Sequence, residues 1–248
     1  MLQQRAPAVW DWGYTWEIMP DLMDGLIVTL QATAVGITIA LLLGLLLAIA
    51  RRSRSRFLSW PAAGIVEFIR STPLLVQLFF MFYVLPDLSI FPQFEASIPF
   101  FGEIRTNSRG GLLLDAFATG AITLGVHYAT YTSEVYRAGI DNIQRGQWEA
   151  STALGLNPVD TWTRVVLPQA IPTVVPALGN YLIAMFKEVP LLATITVVEL
   201  LGEAKSHCSR DFRCLEPYTM VGVIFLAISI PSSLLVRFVE RRIGYARA

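Results

Sequence analysis

Apolar residues in this chain gather into long unbroken runs instead of alternating with polar ones. Gly25–Ala50 contains no Asp, Glu, Lys or Arg. Trp60–Pro86 carries only Glu67 and Arg70, both near its start. Ala116–Ser133 holds a single histidine, Val165–Phe186 is uncharged, and the chain then stays mostly apolar to Leu201 beyond Lys187 and Glu188. Pro217–Val236 is a fifth run. A membrane-crossing helix needs about 20 predominantly apolar residues. A buried core helix would be shorter and amphipathic, and a membrane barrel would alternate over about ten residues. The runs therefore predict an all-α membrane protein, one domain over 1–248. Its spans, about five, are expected near 22–50, 60–86, 112–137, 169–202 and 217–239.

The first 20 residues, with three tryptophans and no short apolar core, do not read as a cleaved signal. Lys and Arg in the loops orient the spans. With the N-terminus outside, the inner segments hold Arg51, Arg52, Arg54, Arg56, Arg137, Arg145, Arg164, Arg237, Arg241, Arg242 and Arg247. The outer segments hold only Arg5, Arg105, Arg109, Lys205, Arg210 and Arg213. That asymmetry predicts N-out, C-in. The outer loops are then 87–111 and 203–216. The first is rich in Pro, Gly, Ser and Asn, which argues against a packed element.

The inner loop 139–168 has the composition of soluble helices. IQRGQWEASTALGL reads as a short amphipathic helix ending near Gly155, and Asn157-Pro158 starts a second one that runs into the fourth span. Trp148, Ala150, Leu154, Trp162 and Val166 are available to pack these helices together.

Composition agrees with a membrane protein. The apolar share is roughly 58% once Gly is counted and Tyr is not, against 45–50% for soluble domains; charged residues are 15%. So much apolar content excludes a disordered chain. A formal net charge of zero leaves no footprint for nucleic acid. Two cysteines cannot build a disulfide scaffold or a zinc site, so no metal is expected. The chain contains no phosphate loop of the form G-x-x-x-x-G-K-[ST], no H-E-x-x-H and no G-x-S-x-G. No catalytic residue is assigned, and no bound cofactor is expected.

Candidate chemistry lies where the spans are interrupted. Pro168, Pro172 and Pro176 occupy the first turns of the fourth run, and Lys187-Glu188-Val189-Pro190 breaks it. Irregular backbone and ionisable groups at membrane depth point to a translocation path, with Lys187 and Glu188 as candidates. Glu67 and Arg70 share a helical face and could pair within the span, or could contact a zwitterion. Thr72-Pro73 predicts a kink whose freed carbonyls the threonine caps. His127 and Tyr128 read as packed and hydrogen-bonded groups instead of ligands. Cys208 and Cys214 are near enough in sequence to close a disulfide, or to remain two free thiols.

Three stretches resemble one family. Glu149-Ala150-Ser151, then Gly155, then Val165, Leu167 and Pro168 resembles the EAA loop of ABC importer permeases, with Ser for the second Ala. EFIRSTPLLVQLFF (67–80) is similar to the second-helix signature of the polar amino acid (His/Gln-type) branch, with Ser71 for the usual Gly. YTSEVYRAGIDNIQRGQWEA (131–150) is similar to the same branch. YATYTSEVYRAGI, MFKEVPLL and LEPYTMVG look most like permeases for ectoine and hydroxyectoine. The resemblance implies a type I importer permease fold in the bacterial inner membrane. Glu149, Ala150, Ser151, Gly155, Leu167 and Pro168 would couple it to a cytoplasmic ATPase dimer that holds ATP and Mg. A second permease, identical or related, and an extracytoplasmic solute-binding protein would complete the complex. The cargo would be a small polar amino acid or amino-acid-like compatible solute. Two other classes are a membrane receptor or scaffold and a secondary carrier; the carrier would need an inverted repeat, which five spans do not divide into.

Overall fold

The computed structural model describes residues 9–89, 92–98, 102–109 and 111–245. Helix α1 (Trp12–Arg51) is 40 residues long, or about 60 Å at 1.5 Å per residue. Asp11 caps its start: the carboxylate accepts the Tyr14 amide at 3.2 Å. Arg51 closes its last turn, where a cation complements the helix dipole.

Helices α2 (Arg56–Arg70) and α3 (Leu74–Phe79) follow, the latter continued by π and 3₁₀ turns to Asp87. The two arms of this segment bend by 103°. Pro73 has no amide to donate, so the last carbonyls of α2 need other partners. The Thr72 hydroxyl donates to the Ile69 carbonyl at 3.1 Å, and the Gln77 amide donates to the same carbonyl at 2.8 Å. Thr72 thus caps the kink, with help from Gln77.

The segment after Asp87, read from its composition as lacking a packed element, contains a small antiparallel sheet. Strands β1 (Glu95–Ile98), β2 (Gly102–Thr106) and β3 (Leu112–Leu113) run in the order β1-β2-β3. Glu95 pairs with Arg105 in register, and Arg105 with Leu113. The strands are too short to show alternation in the sequence.

Helix α4 (Ala116–Asp141) precedes α5 (Arg145–Ala153) and the single turn α6 (Pro158–Asp160). A π stretch then leads into α7 (Leu167–Glu188). Pro172 and Pro176 lie inside α7, which remains one helix. It ends at Glu188, and Val189–Ile195 tightens into 3₁₀ turns closed by Thr196 at φ 70°. Helix α8 (Leu200–Asp211) occupies most of the stretch read as an outer loop, and α9 (Leu215–Tyr245) is the last described element.

Trp12–Arg51, Pro158–Ile195 and Leu215–Ile243 are long and apolar enough to cross a membrane, and the bent α2–α3 pair makes a fourth if it is one span. Helix α4 is long enough but more polar. It buries Thr119, Thr123, His127, Thr130, Thr132 and Ser133.

The residues form two compact units. The first joins residues up to Ala34 with 78–121 and 186–230. Its core is Tyr14, Ile18, Leu22, Leu200, Ala204, Val221 and Ile224. The second joins 35–77, 122–185 and the chain from Pro231 onward. There α1 and α4 approach very closely. A Cβ on Gly44 would stand 2.0 Å from Thr132 Oγ1, and one on Gly125 would stand 2.6 Å from Ile39. The Thr132 hydroxyl donates across the crossing to the Ala40 carbonyl at 2.7 Å. Small residues that admit backbone contact, with a hydroxyl as glue, are how helices pack where apolar burial gives no drive between them.

Candidate functional site

The segment 139–168 folds as two short helical pieces around a sharp corner. Helix α5 ends in a complete double-bonded cap. The Gly155 amide donates to Thr152 O at 3.0 Å and the Leu156 amide to Ser151 O at 3.1 Å. This geometry puts Gly155 at φ +67°, where a side chain would be strained. Two residues later Asn157 caps the next turn, its carbonyl oxygen accepting the Asp160 amide at 2.9 Å, with Pro158 at the first helical position.

Ile143, Val166 and Ala170 form a buried cluster, with Trp148 and Ile140 packed against it. Trp148 also meets Trp162 edge to face at 5.8 Å. These contacts tie α5 to the helices on either side of it. Of the expected coupling residues, Glu149, Ala150, Gly155, Leu167 and Pro168 lie exposed, while Ser151 is buried and donates its hydroxyl to Gln147 O at 2.7 Å. Leu154 and Val159 are exposed beside them, 77% and 71%. Glu149 meets Arg145 only at 3.7 Å, with both side chains mostly in solvent. Such a contact contributes little, so Glu149 is available to a partner.

Glu67 and Arg70, expected as a pair, do not meet. Arg70 turns instead to Glu134 of α4 at 3.4 Å, and Glu67 is exposed without an ion pair among the described residues. Helical spacing permitted the pair, but Glu134 already gathers guanidinium groups. Arg51 reaches it at 2.5 Å and Arg137 at 2.7 Å. Asp141 holds Arg52 and, at 3.1 Å, Arg137. This hub was missed, although Glu134, Arg137 and Asp141 stand at i, i+3 and i+7, so each neighbouring pair shares a helical face.

Lys187 and Glu188 lie in the other unit, and no ion pair joins them among the described residues. Adjacent positions on a helix point in different directions. Lys187 is exposed at the end of α7, whereas Glu188 has one carboxylate oxygen buried without a hydrogen-bond partner. A buried oxygen left open is costly, and this one lies where α7 gives way to 3₁₀ turns.

The first unit carries a polar clasp. Arg213 donates both terminal nitrogens to Asp11 at 3.1 Å and one of them to Glu216 at 3.1 Å. It also lies 4.4 Å from the centre of the Tyr14 ring. The Tyr14 hydroxyl donates to Asp211 at 2.8 Å. His207 accepts from Arg210 on Nδ1 at 2.7 Å, so its Nε2 carries the hydrogen that Asp21 accepts at 2.9 Å. Cys208 and Cys214, on either side of Arg210–Arg213 in sequence, are joined by a disulfide. Tyr14 holds Asp11 below the usual carboxylate range through its amide, and Arg213 adds to the effect. Arg210 and then Tyr14 do the same for Asp211.

Glu199, also missed, is fully buried and caps α8. It accepts the Gly202 and Leu201 amides at 2.9 and 3.0 Å, and Thr29 accepts the Leu200 amide at 3.1 Å. A cap of this kind is legible only once the helix start is known. Among the described residues no group of three or more His, Cys, Asp or Glu could hold a metal ion.

The family of binding-protein-dependent transport system inner membrane components matches residues 40–245 of this chain. The chain is 44% identical over 240 residues to the probable amino-acid ABC transporter permease protein y4tG of Sinorhizobium fredii, covering 92% of this chain and 94% of that one. It is 31% identical to the glutamine transport system permease GlnP of Escherichia coli, covering 94% and 97%. A chain from a crystal structure of an amino acid ABC transporter with histidines superposes with a TM-score of 0.80 at 31% identity, covering 95% of this chain and all of that one.

Proposed function

The chain belongs to the family of binding-protein-dependent transport system inner membrane components, and from that membership we propose that it translocates a small zwitterionic amino acid or a compatible solute of the ectoine kind. It is a multi-pass inner-membrane permease subunit of an amino-acid ABC transporter. It is not an enzyme, since ATP hydrolysis belongs to a separate ATPase. The scaffold and secondary-carrier readings give way to this one.

One observation carries the coupling role. The spaced pattern Glu149-Ala150-Ser151…Gly155…Leu167-Pro168 falls on an exposed helix and on the corner that ends it, anchored at its base by Trp148. An ATPase cleft would receive α5, with Glu149 meeting a basic group and Ala150 keeping the helix slim. Five spans with the N-terminus outside would put α5 at the cytoplasm and the disulfide-bonded clasp outside, where oxidising conditions keep such bonds. We take the complex to hold two permeases, an ATPase dimer and a solute-binding protein. Membrane lipid would cover the exposed apolar faces of α1 and α9.

The zwitterionic cargo rests on mixed charge in otherwise apolar spans. Arg70 shares its surroundings with Glu134, and Glu188 keeps an open buried oxygen next to Lys187. Ectoine and hydroxyectoine are the specific solutes to which MFKEVPLL and LEPYTMVG lead. Uptake of labelled glutamine, arginine, ectoine and maltose by the reconstituted complex tests the proposal. ATP-dependent uptake of an amino acid or ectoine, lost when this subunit alone is left out, is the expected result. Uptake of the sugar alone would overturn it.

A further inference from the structure

We propose that Tyr131 and Tyr181, backed by Tyr128, His127 and Gln77, bind a planar delocalised cation, the guanidinium or amidinium group of an amino-acid-like solute. This rests on the transport reading above and narrows its substrate class.

The rings come from two helices. Tyr131 lies 5.7 Å from Tyr181 and 5.3 Å from His127, and Tyr128 lies 6.2 Å from Tyr181. These separations fit tilted and edge contacts between rings. Tyr128 and His127 are buried, at 4% and 7% exposure, while Tyr131 and Tyr181 are half-buried and keep surface open. The cluster therefore has a packed floor and two accessible rings.

A cation already occupies one face. The Arg70 guanidinium carbon is 5.3 Å from the centre of the Tyr131 ring, inside the range of cation–π attraction. Arg70 is the weakest-held of the arginines on Glu134. Its contact is 3.4 Å, against 2.5 Å for Arg51 and 2.7 Å for Arg137. It can withdraw without leaving Glu134 unpaired, and a solute of the same chemistry can take its place. The surroundings are polar, since Arg70 and Glu134 would not be placed against hydrocarbon.

Hydrogen bonding adds direction. The Gln77 amide nitrogen lies 2.8, 3.1 and 2.8 Å from Ile69 O, Thr72 O and Thr72 Oγ1, which share its two hydrogens. That orientation leaves Gln77 Oε1 to accept from His127 Nδ1 at 3.0 Å. In the neutral ring, Nε2 of His127 is then an acceptor for a ligand N–H. Two ring faces and few acceptors suit a flat, weakly hydrated guanidinium better than a compact ammonium, which needs three acceptors.

The experiment is equilibrium binding of labelled arginine, ectoine and glutamine to the detergent-purified permease–ATPase complex without its binding protein, beside uptake by the complete complex. Arginine and ectoine should bind about tenfold tighter than glutamine. Tyr131→Leu should weaken arginine binding about tenfold, Tyr131→Phe by less than about threefold. Arg70→Gln, which vacates the ring, should strengthen arginine binding severalfold, a gain that misfolding cannot produce. Equal binding of arginine and glutamine would overturn the proposal. So would equal losses for both ligands in Tyr131→Leu, or no gain in Arg70→Gln. If amino acids are nevertheless taken up in those cases, the transport reading stands. If neither amino acids nor ectoine are taken up, both fall.

Discussion

Gly155 shows how one backbone angle shapes a helix end. Its φ of +67° closes the cap of α5, and no atom lies within 4 Å of a Cβ placed there. Gly155→Val therefore meets no clash, but a β-branched residue in this region costs about 1–2 kcal/mol. The apolar helices do not involve this position, so the protein should reach the membrane at normal levels. Co-purification with the ATPase should drop, or its stimulation by loaded binding protein should fail. Unchanged association and stimulated hydrolysis would remove α5 from the coupling role. Lys187 offers a contrasting case. It is exposed and makes no ion pair among the described residues, so Lys187→Ala should shift stability by no more than about 0.5 kcal/mol. Transport should fall by at least about tenfold if Lys187 serves the path beside Glu188. Membrane quantity and uptake rate, measured on the same preparation, separate the two effects; parental uptake would refute the path role.

The crossing of α1 and α4 rests on the absence of a side chain at Gly44. Gly44→Val would force atoms against Thr132 Oγ1 and the Ala129 carbonyl, and would part the Thr132–Ala40 hydrogen bond. Overpacking of this kind costs about 1–3 kcal/mol, so the purified complex should melt several degrees lower, whereas Gly64→Ala, at an open position, should not. The clasp at Asp11 and Asp211 carries a pH dependence. Both carboxyls titrate below their ordinary value of 3.8. A depressed folded-state pKa contributes stability above the unfolded value and loses it as pH falls through the folded one. Melting of this region should be flat from about pH 8 to 5 and should fall below about pH 4. Arg213→Ala should weaken the acid response, and an unchanged acid response in that variant would show that Arg213 does not set it.

Translocation needs a polar way through an apolar body, and this protein carries buried polarity along α4 and at breaks in its other helices. The 103° bend at Pro73 and the end of α7 at Glu188 are both capped or tightened locally instead of being left open. Within a bilayer, non-helical backbone is tolerated only where protein or a water-filled cavity covers it. The cargo prediction belongs here. The assembled complex should import amino acids or ectoines with ATP, and substrate choice should shift when the binding protein is exchanged. Import that continues without ATP would contradict coupling to an ATPase.

Long apolar runs, the breaks at Pro73 and Pro190 and the turn signals around α5 were legible in the chain alone, because each depends on neighbours in sequence. Helix α5, its end at Gly155 and the cap at Asn157 follow from local rules of this kind, and so does the Thr72-Pro73 kink. Strands β1–β3 were not legible, since two to five residues are too few to show a period. Contacts between distant segments were settled only by folding. Arg70 had a partner at helical spacing, Glu67, yet chose Glu134, because a carboxylate from another helix came within reach. Arg213 found Asp11 across 202 positions, and Glu199 found Thr29 across 170. The ring cluster at Tyr131 has the same origin. Sequence places Tyr181 fifty residues from Tyr131, and only helix packing brings their faces to 5.7 Å.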